Sequence, residues 1–423
     1  MVDNAQDIHY LQHVTALGER RKVVAHAPIF SKTGVKLVEA GVAVSQDLLD
    51  KLGNHHLFPM LDECLTVEDA LSSASLRGQT KDLLAEDITF GALIPPGGDD
   101  ALLDAIAAIP LPAPLAFKLT VAREQRPEIF RHSLQVALLA ALLKSMDATC
   151  TPAAMSDAAA AGLFHDIGLL HIDPAIFDTH QGLTEALRHH LYSHPIIAYL
   201  ILERTSGINP NIALAVLQHH ERMDGSGYPK GLAASQLGEL GQILAVAELG
   251  ATLLAQPSEL PLKRHLEVVL RMNADKLQPR YTAHLETLLA AIPRPSSGPT
   301  GNTETIFSSL IRLAVAINHW RSVRAQPQQP ALLHFIDGRV ERLAHALADV
   351  GIDLDYWTTY DADIEQDGAT LAEIEIVARE AMWQLNALTQ EIRRKWKNAI
   401  DHDAEQCRPA LDWLASVEAE NLG

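Results

Sequence analysis

The sequence predicts a mainly α protein: a central helical bundle, a small β-containing unit before it and a C-terminal helical region after it. Three observations lead there. At 423 residues the chain is longer than one core usually organises, so two or three domains are expected. Apolar residues make up 48% of the chain and aromatic ones 5%, a balance dominated by Ala and Leu that suits helices. Apolar positions also recur at helical spacing through the middle of the chain, as in Leu134, Ala137, Leu138 and Ala141.

In chain order, the stretch "PIFSKTGVKLVEAGVAVSQDLLDKLGNHHLFPM" alternates short apolar pieces with Gly turns before one helical stretch, which predicts a small α/β domain over residues 1–95. "GALIPPGGDDALLDAIAAIPLPAP" places Pro and Gly on both sides of a short apolar helix and reads as a connection. A helical domain is expected over 112–292. The polar, breaker-rich "PRPSSGPTGN" reads as a linker, and amphipathic helices over 302–423 include "TLAEIEIVAREAMWQLNALTQEIRRKWKNAI", long enough for a bundle or a dimerising helix. No repeat of solenoid period occurs.

The formal net charge of −19 argues against DNA, RNA or anionic lipid as general partners, which are drawn in by Lys and Arg. An anionic substrate would need a local concentration of positive charge. The start "MVDNAQDIHYLQ" lacks the basic flank and apolar run of a signal peptide, and no apolar stretch reaches about 18 residues without Pro or charge, so a cytoplasmic location and no membrane insertion are expected. Cys64, Cys150 and Cys407 are far apart and read as reduced thiols.

Metal-type ligands then accumulate in the middle domain: Glu128 and His132, His165 and Asp166, His194, His219 and His220, and Glu248. Glu128 and His132 are four apart and share a helix face. In "LFHDIG" an imidazole sits beside a carboxylate whose two oxygens can bridge two cations. His219 and His220 are about 100° apart around a helix, which lets neighbours reach different ions. A single helical His is usually structural or solvated, and His189 and His190 in "RHHLYSH" are read as exposed; the ordered set is much harder to arrange by chance.

That order resembles the HD superfamily of metal-dependent phosphohydrolases, and "HHERMDGSGYPKGL" resembles the signature of its HD-GYP branch, with Gly227, Tyr228 and Pro229 as the naming triplet. The resemblance covers about Glu128 to Leu254. It implies an HD-type bundle holding two or three divalent ions, iron or manganese, that hydrolyses cyclic di-GMP to pGpG or GMP. By the same resemblance His132, His165, Asp166, His194, His219 and His220 are ligands, with Asp166 bridging and His165 and Asp166 at the catalytic centre. Glu128 matches the extra carboxylate of trinuclear members, and Glu248 stands where the family has Asp. Arg222 and Lys230 are candidates to face phosphate or guanine, with simple solvation as the alternative.

Three departures bear on activity. Leu169 stands where the family has Lys, and one lost charged hydrogen bond removes about 1.5 to 3 kcal/mol. Glu248 carries one methylene more than Asp. "GATLLAQPSELPLKR" replaces a stretch that supplies basic contacts, with Lys263 and Arg264 as substitutes only if that loop is rearranged. The expected function is therefore a metal-dependent cyclic-dinucleotide phosphodiesterase, possible loss of activity leaving as alternative a degenerate module that binds metal or nucleotide and signals through its flanking domains. A homodimer or a signalling partner would engage those flanks. His319, Trp320, His334 and His345 lack ligand-like grouping and are read as core or surface.

Overall fold

The computed structural model describes residues 8–52, 57–58, 61–178, 185–255, 262–292, 303–323, 331–354 and 368–421. The sequence-predicted linker at 293–302 lies outside them, as do residues 256–261 of the altered loop. The fold is mainly helical, with two small sheets near the N-terminus, and it divides into two compact units. One comprises Met1–Ala255 with Lys276–Ile292, the other Gln256–Asp275 with Pro293–Gly423.

In the first unit, helix Ile8–Gly18 precedes strand Val23–Ala25, which pairs antiparallel with Leu65–Val67 in the register Val23↔Val67 and Ala25↔Leu65. Strand Ile29–Ser31 lies between Lys36–Val38 and Leu57–Phe58. Ala25, Ile29, Val38, Leu52 and Cys64 form a small core of their own beneath these strands. Helix Ser73–Glu86 starts at a capping box, in which Ser72 and Ser75 satisfy each other's backbone N–H groups.

Helix Pro127–Ser145 is the axis of the helical part. Its side chains from Ser133 to Lys144 are all buried, so it is wrapped on every side rather than lying at the surface. Helix Pro152–Phe164 crosses it closely because Ala158–Ala161 and Gly162 present almost no side chain. A Cβ on Gly162 would lie 2.6 Å from the Ala137 backbone. Proline at the first turn and a Thr151 cap fix where that helix begins, and hence where it ends, at His165. Helices Asp99–Ala107, Ala113–Gln125, His194–Arg204, Pro210–Gln218, Glu239–Ala255 and Pro279–Leu289 also belong to this unit.

The second unit packs helices Leu262–Met272, Thr303–Val323, Ala331–Asp349, Gly368–His402 and Arg408–Asn421 around Leu310, Ile317, Trp320, Ile336, Val340, Ile376, Leu385 and Trp413. Trp320 and Trp413 meet edge to face at 5.5 Å, and Trp413 donates its indole N–H to the Ala316 carbonyl at 2.8 Å. Trp320 is thus core, and His319 shares a hydrogen bond with the Ser416 hydroxyl at 3.0 Å. Arg264 is engaged within this unit by Glu267 and Glu373. No described helix is long and apolar enough to cross a membrane.

Candidate metal centre

Three imidazoles reach the centre by the same local device. His165 and His219 cap the C-terminal ends of helices Pro152–Phe164 and Pro210–Gln218, and His194 opens helix His194–Arg204. Each folds back on its own turn: Nδ1 lies 2.7 Å from the Gly162 carbonyl in His165, 2.7 Å from Leu191 in His194 and 2.6 Å from Val216 in His219. A carbonyl can only accept, so Nδ1 must carry the proton in all three. The unprotonated Nε2 lone pairs then face inward, which is the tautomer a metal needs.

Asp166 sits between two groups of donors. Its Oδ2 lies 3.1 Å from His165 Nε2, while its Oδ1 lies 3.3 Å from His194 Nε2 and 4.0 Å from His219 Nε2. On the His165 side, Glu248 Oε2 approaches His165 Nε2 at 3.1 Å and His132 Nε2 at 3.0 Å. On the other side His194 and His219 bring their Nε2 atoms to 3.2 Å, and the His220 ring lies 4.0 Å from that of His219. His132, His165 and Glu248 form one set with metal-ligand spacing, His194, His219 and His220 another, and His165, Asp166 and His219 a third that joins them.

The donor set fits divalent cations. His165 Nε2 is fully buried and flanked by two carboxylates, yet has no hydrogen-bond partner among the described residues. Such an atom calls for a partner in line with its lone pair. The surrounding charges make the position beside His165 Nε2 attractive to a proton or a cation. Burial opposes charge on His165, but Asp166 and Glu248 outweigh it and hold its pKa well above the ordinary histidine value. His219 is pushed down to about 3, first by burial and then by His165 and His194, and burial together with His219 drives His220 well below the ordinary value. Burial also works against the charge of Glu248, but His132 and His165 keep its carboxyl well below the usual range.

Not every sequence candidate joins the cluster. Glu128 is 61% exposed and its Oε1 accepts from Arg126 Nε at 2.5 Å, so Glu128 is ion-paired at the helix start instead of standing with His132. Lys230 is exposed, and Arg222 turns its Nη1 onto the carbonyls of His219 and Glu221, at 3.1 and 2.9 Å, so it ties the ligand-bearing turn together. His189 is exposed, whereas His190 is half-buried with its ring 6.3 Å from that of His9. Leu169 is buried with Ile129, Ile172 and Ile176, an apolar cluster in which a charged ammonium would be costly to bury.

Two residues central to the geometry carried no sequence signal. Glu221 is buried, and its carboxylate accepts the backbone N–H groups of Lys230 at 2.7 Å, Gly231 at 3.2 Å and Leu232 at 2.9 Å, which closes the loop onto the ligand turn. Tyr192 extends a stack: His220 lies on Tyr228 at 4.5 Å, and Tyr228 on Tyr192 at 4.1 Å. The tyrosine of the GYP triplet thus backs a candidate ligand. A Cβ on Gly227 would lie 2.4 Å from both the Glu221 Cα and the His220 carbonyl oxygen, so only glycine lets the loop cross there.

Gly168 holds the other side. A Cβ there would lie 2.2 Å from the His194 carbonyl oxygen and 3.0 Å from the Ala198 nitrogen, both backbone atoms. Gly168→Ala is expected to push the turn Ile167–His171 away from helix His194–Arg204, and Asp166 away from His194 with it. Overpacking of this kind costs about 1–3 kcal/mol. Denaturant unfolding and metal content, measured together, should both fall.

Comparison with known proteins agrees with this arrangement. Residues 118–298 match the family model described as "HD domain". The chain is 30% identical over 165 residues to a cyclic di-GMP phosphodiesterase of Pseudomonas aeruginosa, PA4108, covering 38% of this chain and 39% of that protein. It is 38% identical over 85 residues to the cyclic di-GMP phosphodiesterase PdeB of Borreliella burgdorferi, covering 20% and 22%. A 3'3'-cGAMP-specific phosphodiesterase 3 of Vibrio cholerae is 28% identical over 136 residues, covering 31% and 29%. The similarity therefore spans less than half the length of each of these relatives. Residues 118–298 thus carry an HD domain, and over part of its length the chain is similar to these phosphodiesterases.

Proposed function

We propose that the protein is a metal-dependent phosphodiesterase that opens cyclic dinucleotides, with cyclic di-GMP hydrolysed to pGpG or GMP. The observation that carries this is Asp166, whose two carboxylate oxygens face separate groups of imidazoles. His132, His165 and Glu248 would hold one divalent ion and His194, His219 and His220 the other, with iron or manganese as the metals. When bound, two such ions offset phosphodiester charge and lower the pKa of a coordinated water from about 15.7 towards 7. The chain's own part is orientation: the backbone bonds of His165, His194 and His219 fix their tautomers, and the Tyr192–Tyr228 stack fixes His220.

The relatives' printed activities support the substrate class, cyclic di-GMP in two cases and 3'3'-cGAMP in the third. One observation favours a second reading, a module that binds nucleotide without cleaving it: Leu169 places apolar packing where the resemblance expects a lysine. Protein reconstituted with iron or manganese and incubated separately with cyclic di-GMP and 3'3'-cGAMP separates the two. Conversion of cyclic di-GMP to pGpG or GMP is the expected result. Calorimetric binding with intact substrate under every metal condition would select the second reading.

A further inference from the structure

The chain leaves the first unit after Ala255 and re-enters it at Lys276. The helix before the exit, Glu239–Ala255, carries Glu248. At the return, the Lys276 carbonyl accepts the backbone N–H of Met223 at 2.9 Å. Met223 follows His219, His220 and Arg222 in the ligand-bearing turn, and its own carbonyl accepts from the Ala234 N–H at 3.0 Å. The turn is therefore held at Met223 by two backbone bonds, one to the segment Ala234–Gln236 and one to the re-entering chain.

The residues just before Lys276 are anchored in the second unit. Helix Leu262–Met272 buries Val268 and Met272 in the core of the C-terminal helices. Helix Gly368–His402 grips its end: Asn273 donates its amide to Glu380 Oε1 at 2.8 Å, and Gln384 Nε2 donates to the Met272 carbonyl at 3.2 Å and to Glu380 at 2.8 Å. Asp275 is ion-paired to Arg342 at 3.5 Å. Since Asp275 and Lys276 are consecutive, one peptide bond joins a residue held by the C-terminal helices to one held by the ligand turn, and their Cα atoms are fixed about 3.8 Å apart. Beyond Lys276 the chain is anchored again, within the first unit. Gln278 donates to Gln242 and Tyr281 to Glu239, both at 2.8 Å, and the buried Asp147 pairs with Arg280 at 2.5 Å and Lys144 at 3.0 Å. Helix Pro279–Leu289 is thus pinned by charge, and a displacement arriving from Asp275 falls on the neutral bond between Lys276 and Met223.

We propose that the C-terminal helices control the metal centre through residues Asn273–Gln278: a shift of helix Leu262–Met272 makes or breaks the Met223–Lys276 bond, and so orders or releases the turn that carries His219 and His220. This control rests on the reading of those two histidines as ligands. The coupling itself is a property of the backbone and can be measured without metal.

The test is amide hydrogen exchange over residues 219–234 of the full chain with a chelator present. It compares the wild type, Glu380→Ala, a chain with Gly-Gly inserted between Asp275 and Lys276, and the two changes combined. Glu380→Ala frees the end of helix Leu262–Met272 without touching the first unit, and should speed exchange over 219–234 about two- to tenfold, the net effect of losing one intramolecular hydrogen bond. With the insertion in place the two anchors are separated by slack, and Glu380→Ala should no longer change that rate. Arg342→Gln, which releases Asp275 from a surface ion pair, stands in if Glu380→Ala fails to fold. In protein reconstituted with manganese, the rate of metal release to the chelator should follow the same pattern. A chain that retains no metal would count against the ligand reading, while the exchange rates would still decide the coupling. Exchange over 219–234 that is unmoved in the uninterrupted variant, equally raised with and without the insertion, or matched by a rise of the same size in helix Pro127–Ser145 would overturn the proposal.

Discussion

Replacing Asp166 with alanine is expected to lower hydrolysis of cyclic di-GMP by about two to three orders of magnitude, the range for removing one preorganised charged group from an active site. The side chain is the link between the two donor sets, 3.1 Å from His165 on one side and 3.3 Å from His194 on the other. Asp166→Ala should also lose bound metal, because His165 keeps only Glu248 as a carboxylate neighbour. Asp166→Asn retains the shape but not the second anionic oxygen, and is expected to fall in the same direction. Activity assay and elemental analysis on one preparation check both; undiminished turnover in Asp166→Ala would contradict the assignment of this residue.

The second large effect is structural. Glu221→Gln keeps the volume of the side chain but turns an amide NH2 towards backbone N–H groups that now meet carboxylate oxygens at 2.7, 3.2 and 2.9 Å. At least one of these donors then loses its acceptor and faces the amide NH2 instead. With charged hydrogen bonds each contributing about 1.5–3 kcal/mol, the variant should be about 2–4 kcal/mol less stable. Chemical denaturation measures this directly. The loss should be accompanied by slower turnover, because the Tyr228 ring that backs His220 rides on the same loop. An unchanged unfolding midpoint would show that the loop is held by something else.

Much of the site is legible in the sequence because metal ligation constrains residue type and order. His132, His165, Asp166, His194, His219, His220 and Glu248 stand out as imidazoles and carboxylates in an otherwise apolar domain, and the fold gathers them. Glu128 could not be judged that way. Its i, i+4 spacing to His132 was equally compatible with ligation and with the ion pair to Arg126 that it makes. Glu221 was invisible for a different reason: what it satisfies is backbone, which leaves no mark on residue type. The apolar surroundings of Leu169 likewise depend on Ile129, Ile172 and Ile176, brought together only by folding.

At the level of the fold, helical periodicity made the α-rich architecture plain, since a buried axis such as Pro127–Ser145 must be apolar nearly all round. Tertiary membership was less legible. Helix Leu262–Met272 has a strongly amphipathic sequence that says only that one face is buried; Val268 and Met272 belong to the core of the C-terminal helices. The small sheets were legible only as a β-containing region, because strands of two or three residues give too short a pattern to place.

The central claim is that side chains from five separate helical segments converge to hold divalent cations, and metal stoichiometry tests it most directly. Protein reconstituted anaerobically with iron or manganese, freed of excess metal and subjected to elemental analysis should retain about two ions per chain, and lose them in Asp166→Ala. A wild-type protein that retains no metal above the level of that variant, under either metal, would contradict the account.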